Sequence, residues 1–391
     1  MTSLESPARA TPAIVAATAP GKREQGATRA MFFAAGFATA AWAALVPFAK
    51  HHTSVDHHQL GLLILCLGIG ALLAMPATGA VSSRAGCRRV LVAAVVVFCA
   101  MLPLLAVLSN VWVLALALFV FGVGVGTTDC VMNIQAILVE EAADRPLMSG
   151  FHGFYSVGGI AGAGLMTLSM SLGATPLAAS LAASACMLVL LWVYSDGLLT
   201  YAYPRQGPLL ALPRGAVVLL GVICFAVFLA EGTVLDWSAV FLTEQRAFDS
   251  AMAGVGFACF AATMTVGRLT GDRVVARIGA RPVVTGGALL ALAGMLILVW
   301  VPLGWAALAG YALIGLGCSN IVPVMFSAIS RQTSMPQALA VPAVSTLGYL
   351  GVLSGPAAIG FVAQASSLPA AFLLVGALLL MVAVASRRVP L

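Results

Sequence analysis

Three carboxylates stand where the neighbouring residues are almost wholly apolar. Asp129 lies in GVGVGTTDCVMNIQA, Gly122 to Ala136, with no other charge between Val111 and Val139; Glu231 and Asp236 lie in LAEGTVLDWSAVF. A carboxylate at the centre of a bilayer-spanning helix costs about 2.5 to 3.5 kcal/mol on insertion scales, so a chain that keeps one has a use for it. The uses open to it are proton exchange, hydrogen bonding to a polar solute, or locking of helices. Asn133, four residues after Asp129, shares its helical face. At 1.5 Å per residue Asp129 is roughly 27 Å along a helix counted from Val111, in reach of a cavity open to the inside. Glu231 and Asp236 are separated by about 140° around a regular helix. Glu231 is the better embedded, about 24 Å from Gly215 against about 32 Å for Asp236. Gly232 would allow local unwinding between them. No cation stands in the core of any apolar run as an obvious partner.

Other polar groups have blander readings. His152 and Tyr155 fall at the start of an apolar run, where a helix-end histidine meets water. HHTSVDHHQ, His51 to Gln59, has enough ligands for a metal but sets them as adjacent pairs, so a solvated loop is expected and no metal. GVGVG has no preceding strand and no following Lys, so its glycines read as helix-packing sites at Gly122 and Gly126 and not as a phosphate loop. Gly-Pro inside SGPAAIG, Ser354 to Gly360, reads as a kink.

The elements that must hold these groups follow from composition. Hydrophobic residues make up 61% of the 391 and charged residues 8%, with a formal net charge of +6. A soluble domain has roughly 45 to 50% and about 25%. The cations fall in short clusters between apolar runs, which excludes a nucleic-acid surface, and seven of the eight cysteines lie inside the runs, with no disulfide or zinc spacing. Twelve runs long enough to cross a bilayer lie near 29–49, 59–81, 90–109, 111–138, 150–172, 176–195, 215–242, 251–270, 282–302, 304–328, 337–364 and 368–386. With the amino terminus inside, 17 of the 19 Lys and Arg fall in cytoplasmic segments, counting Arg268, Arg273, Arg277 and Arg281 in one connection. Both termini are therefore expected to be cytoplasmic, in a bacterial inner membrane.

The chain also repeats itself at half its length. RAGCR at Arg84 recurs as RIGAR at Arg277, an offset of 193; GVGTTD at Gly124 recurs as GLGCSN at Gly315, an offset of 191; and AW at Trp42 pairs with DW at Trp237, an offset of 195. The second match sets Asn320, which cannot titrate, opposite Asp129. The expected organisation is a disordered tail over 1–28, six-helix halves over 29–199 and 215–391, and a linker over 200–214. A solute site is expected between the halves.

This pattern resembles the major facilitator superfamily of secondary transporters. The loop after span two, GAVSSRAGCRR, retains Gly79, Arg84, Gly86 and Arg88 of the family's loop motif and has Ser83 at its acidic position. GDRVVARIGAR, with Asp272, Arg273, Arg277, Gly279 and Arg281, is the second-half counterpart. TTDCVMNIQAILVEE and EGTVLDWSAVFL are similar to a bacterial branch near the fucose permeases and rhizopine-cluster permease-like proteins. Those permeases carry one acid on the first span and one on the fourth; Asp129 fits the second, and the first span here has none. The resemblance implies an all-α, polytopic fold of twelve helices in two pseudo-symmetric halves. It also implies that Trp42, Trp237, Asn320 and Tyr349 line the solute path, where Asn133, His152 and Tyr155 would join them.

The function expected is secondary transport of a small polar, sugar-like solute by alternating access, with Asp129, Glu231 and Asp236 as proton-coupling candidates. Its partners would be the solute, protons and the bilayer, with no cofactor, no nucleic acid and no enzymatic activity, and a monomer as the working unit. An exporter on the same fold and a non-transporting receptor are the alternatives.

Overall fold

A computed structural model describes residues 20–204 and 212–391; most of the expected tail and the middle of the expected linker lie outside the described residues. The first half holds α1 (Lys22–Thr53), α2 (His57–Leu105), α3 (Val111–Ala143), α4 (Met148–Ser171) and α5 (Pro176–Tyr194). The second holds α6 (Ala216–Arg246), α7 (Val255–Ile278), α8 (Ala280–Trp300), α9 (Gly304–Cys318), α10 (Ile321–Ile329), α11 (Gln337–Ala365) and α12 (Leu368–Ala385). Among the described residues ten helical stretches are long and apolar enough to cross a membrane. α2 is one of them and is two spans long at 49 residues, and α4 adds another crossing by its length of 24, which gives twelve. Below, the side of the membrane on which α1 begins is called the tail side.

The helix starts are written in the sequence. Asp56, Asn110, Thr175 and Ser367 each accept a hydrogen bond from a main-chain N–H of the first turn, of α2, α3, α5 and α12 respectively. The acid in the histidine-rich stretch is thus a helix cap, 2.7 Å from the Gln59 N–H. α1 starts at Lys22, inside the stretch expected as tail, and Glu24 accepts from the Gly21 N–H at 2.6 Å.

Spans two and three are joined without a loop. The helix runs through SSRA to Gly86, whose φ of 79° and ψ of 160° turn one span into the next, and Gly279 has the same conformation (87°, 160°) between α7 and α8. A β-carbon strains such a backbone, so glycine is required at both. Span ten is broken at Ser319–Asn320 into α9 and α10. α11 runs through Pro342 and Pro356, and the Val352 carbonyl, which Pro356 cannot bond, faces Gly232 of α6. Trp112, Trp300 and Trp305 are exposed on the far side and Trp192 on the tail side, as membrane-interface tryptophans are.

Within each half the spans pack in the same way. α1 lies against α4 as α6 lies against α11, and α2 against α3 as α7 and α8 lie against α9. Across the halves α2 packs on α11 and α4 on α7, while α10 reaches α3 and α4.

Candidate functional site

Asp129 is carried by a helix that approaches its neighbour through glycines. A Cβ on Gly122 would run into the Leu67 carbonyl, and one on Gly126 into the backbone of Ala71, both on α2. Further along, the Thr78 hydroxyl donates to Cys130 Sγ at 2.8 Å. The Asp129 side chain is half-buried, and among the described residues its carboxylate has no hydrogen bond or ion pair. Its electrostatic neighbours are Tyr155 of α4 and Tyr349 of α11, one phenol from each half. Asn133 lies one turn on, as its spacing predicts. Its amide donates at 2.8 Å to the main-chain carbonyl of Asp129 and not to the carboxylate, and its own Oδ1 is buried without a partner.

The second half holds a buried cation that the apolar pattern does not lead one to expect. Arg268 of α7 is 7% exposed and holds Glu231 of α6 at 3.3 Å. Its Nη1 donates to the Ser156 hydroxyl of α4 at 3.1 Å, across the halves, and its Nε to the Ser319 carbonyl at 3.4 Å. With five N–H groups, the guanidinium keeps at least one to spare. The sequence pattern puts Arg268 in a cytoplasmic connection and expects no cation in a span core; the structure buries it. α7 runs to Ile278, eight residues past the expected boundary, and this carries Arg268 about 15 Å inside the helix end. The signal available was the 18 uncharged residues, Ser250 to Gly267, that precede it.

The other expected groups are placed as follows. Tyr155 interacts electrostatically with Asp129, Arg268 and Glu231 together, so it lies within reach of acids from both halves. His152 is not a water-facing helix end; it is 8% exposed, its ring centroid 5.0 Å from that of Phe32 and 5.9 Å from that of Phe326, and its Nε2 is buried without a partner. Burial against α1 and α10 follows from α4 starting between the halves. Asp236 is exposed, further toward the far side on an α6 that stays helical through Gly232. Trp237 beside it is half-buried with an unpartnered Nε1. Trp42 is 5% exposed within the apolar core. Asn320 stands at the break in span ten and donates to the Gly267 carbonyl at 3.1 Å and to the Ser319 hydroxyl at 2.9 Å, so it braces the backbone next to Arg268.

The packing also corrects the register of the repeat. A Cβ on Gly122 meets the Leu67 carbonyl and one on Gly315 meets that of Phe260; one on Gly124 meets the Ala94 carbonyl and one on Gly317 that of Gly287. Both members of each pair differ by 193, the offset of RAGCR and RIGAR, and not by 191. Asn320 therefore matches Thr127, and Asp129 matches Val322. On the first span the Gly158–Phe33 and Gly351–Phe225 contacts give 192, which sets Trp42 opposite Val234 and not Trp237.

Comparison with known proteins settles what kind of molecule holds this cluster. The family model described as Major Facilitator Superfamily matches residues 30–235 and 219–390. The chain belongs to this superfamily. The transporter is 49% identical to an uncharacterized MFS-type transporter of Yersinia pestis, over 95% of this chain and 97% of that one. It is 31% identical to the membrane protein MosC of Rhizobium meliloti, over 94% and 91%. Among solved structures it is similar to FucP in the outward conformation, with a TM-score of 0.77 at 15% identity over 93% and 98%. It is also similar to the human organic anion transporter MFSD10, with a TM-score of 0.74 at 18% identity over 93% and 99%.

The loop residues of the transporter divide into fasteners within a half and contacts between halves. Arg88 binds Asp196 at 2.6 Å, and Arg281, 193 positions on, donates to the carbonyl of Val389, 193 positions after Asp196. Arg84, Arg273 and Arg277 are exposed. Gly79 lets α2 approach the Ala338 carbonyl of α11. At the matching position, Asp272 accepts the Gly150 N–H at 3.0 Å in the first turn of α4. A carboxylate from one half thus caps a helix of the other, where the helix dipole favours negative charge. Ser83 at the motif's acidic position bonds the Ala80 carbonyl of its own helix. These contacts lie between the tail-side ends and mid-depth, and they hold the two halves together on that side of Asp129.

Proposed function

We propose that this secondary transporter moves a small polar, hydroxyl-bearing solute across a bacterial inner membrane by alternating access, driven by protons that bind and leave Asp129. The observation that carries the reading is the Asp129 carboxylate, which has no partner among the described residues and lies within electrostatic reach of Tyr155, a phenol that also reaches the Glu231–Arg268 pair of the other half. A group that must gain and lose a proton during the cycle is best left without a fixed counter-ion. Tyr155, Tyr349, Asn133 and Asn320 supply hydroxyls and amides for solute hydroxyl groups. Similarity of fold to a fucose:proton symporter and to a proton:xylose symporter supports the class of cargo. The arginine-rich segments favour cytoplasmic termini, the linker at 200–214 joins the halves, and the unit is a monomer.

A solute is found first by screening sugars, polyols, sugar acids and amino acids for a rise in thermal stability. Asp129→Asn in proteoliposomes then loses accumulation driven by a pH gradient while keeping counterflow of labelled solute. Full gradient-driven accumulation by the variant would sink the proposal. The spare donor on Arg268 favours a second reading, a carboxylate-bearing solute that competes with Glu231. Protection by sugar acids in preference to the neutral sugars would support it.

A further inference from the structure

One cavity lies well away from this site. It encloses about 810 Å³ at the tail-side end of the first half, between the turn in α2 and the end of α5. The turn at Gly86 builds it. Arg84 comes two residues before the turn and Arg88 and Arg89 shortly after it, so the ends of spans two and three bring three guanidinium groups to one wall. The segment after α5 forms another side, held by the Arg88 N–H to the Leu199 carbonyl at 2.8 Å and the Cys87 N–H to the Tyr201 carbonyl at 3.3 Å. Ser195 and Thr200 add hydroxyls there. Along the membrane-facing side the lining turns apolar, with Val92, Ala93, Leu188 and the strongly exposed Trp192.

The three arginines are not equivalent. Arg88 is committed to Asp196, which Arg23 also approaches at 3.4 Å. Arg84 and Arg89 are exposed and have no acidic or carbonyl partner among the described residues. Two uncommitted guanidinium groups over an apolar shelf, at the depth where spans end and an interface tryptophan sits, match a ligand with an anionic head and acyl chains.

We propose that this cavity is a binding site for an anionic phospholipid of the tail-side leaflet. Its phosphate takes Arg84 and Arg89, its polar head reaches Ser195 and Thr200, and its chains lie along Val92, Leu188 and Trp192. Basic pockets between transmembrane helices hold acidic head groups in this way, and Arg suits them because its planar fork gives two parallel hydrogen bonds to phosphate. A free phosphate would gain the charges but leave the apolar shelf unused, which is why the lipid is preferred. The lipid would also bind the turn between spans two and three to the end of span six.

The test uses the full chain in detergent, with mixed micelles containing phosphatidylglycerol or phosphatidylcholine, or with inorganic phosphate, and reads thermal stability and lipid retention by native mass spectrometry. Phosphatidylglycerol is expected to raise the melting temperature of the wild type above that in phosphatidylcholine. Arg84→Gln/Arg89→Gln should weaken its retention about tenfold and keep its stability in phosphatidylcholine. The double variant Arg387→Gln/Arg388→Gln, which removes the same charge elsewhere on the tail side, should respond as the wild type does. Equal loss in both double variants, equal protection by inorganic phosphate, or no preference for phosphatidylglycerol in the wild type would each overturn the proposal.

Discussion

Glu231 and Arg268 lie 3.3 Å apart with little water around them, their side chains 18% and 7% exposed, whereas the other ion pairs among the described residues, Arg23–Asp196 and Arg88–Asp196, are at the surface. The pair joins spans seven and eight of one half and, through Ser156, touches span five of the other. A motion that separates the halves must therefore break the Ser156 bond or reorganise the ion pair.

Removing one member of a buried pair strands the other. Arg268→Met or Glu231→Leu alone is expected to destabilise the protein by about 3 kcal/mol. Arg268→Met/Glu231→Leu together should recover most of that loss, with transport still abolished. Melting temperatures of the four proteins give the coupling, and simply additive losses would show that the two residues act independently.

Asp129 presents the opposite case, a carboxylate with no partner among the described residues to strand. Asp129→Asn keeps the shape and removes the charge, so it should raise stability by about 1 kcal/mol. A fall in melting temperature would mean that the carboxylate has a structural partner.

The Asp272 cap should fasten the tail side. Asp272→Asn weakens a charge-assisted bond by about 1.5 kcal/mol, which is roughly tenfold in local opening. Hydrogen exchange measured by mass spectrometry over residues 148–152 should quicken accordingly, with Asp272→Glu intermediate. Unchanged protection at the start of α4 would remove Asp272 from this role.

Glycines that match in the two halves should respond alike. Gly122→Ala and Gly315→Ala each put a methyl group into a backbone carbonyl and should cost about 1 to 3 kcal/mol. Gly164→Ala in α4 meets nothing within 4 Å and should be neutral or stabilising by up to about 1 kcal/mol, because alanine is the better helix former. Expression and melting temperature of the three variants check this.

The sequence alone determined the twelve spans, the half-length repeat, the superfamily and the embedded acids. Hydrophobicity accumulates along a single helix, and a charge inside a run shows at once. It also marked Gly86 and Gly279 as members of a loop motif, but that each is itself the turn between two helices, at positive φ, came from the structure. Tertiary structure decided how deep Arg268 lies, since a helix that outlasts its apolar run is indistinguishable in composition from one that stops. It decided the register of the repeat: sliding two residues along a helix leaves the apolar pattern almost intact but turns a side chain by about 200°. That is why GLGCSN matched GVGTTD by letter while the packing set Asn320 opposite Thr127. The meeting of Glu231, Arg268, Ser156 and Tyr155 depends on contacts such as that of Arg268 with Ser156, 112 positions apart, which only the assembly of both halves brings together.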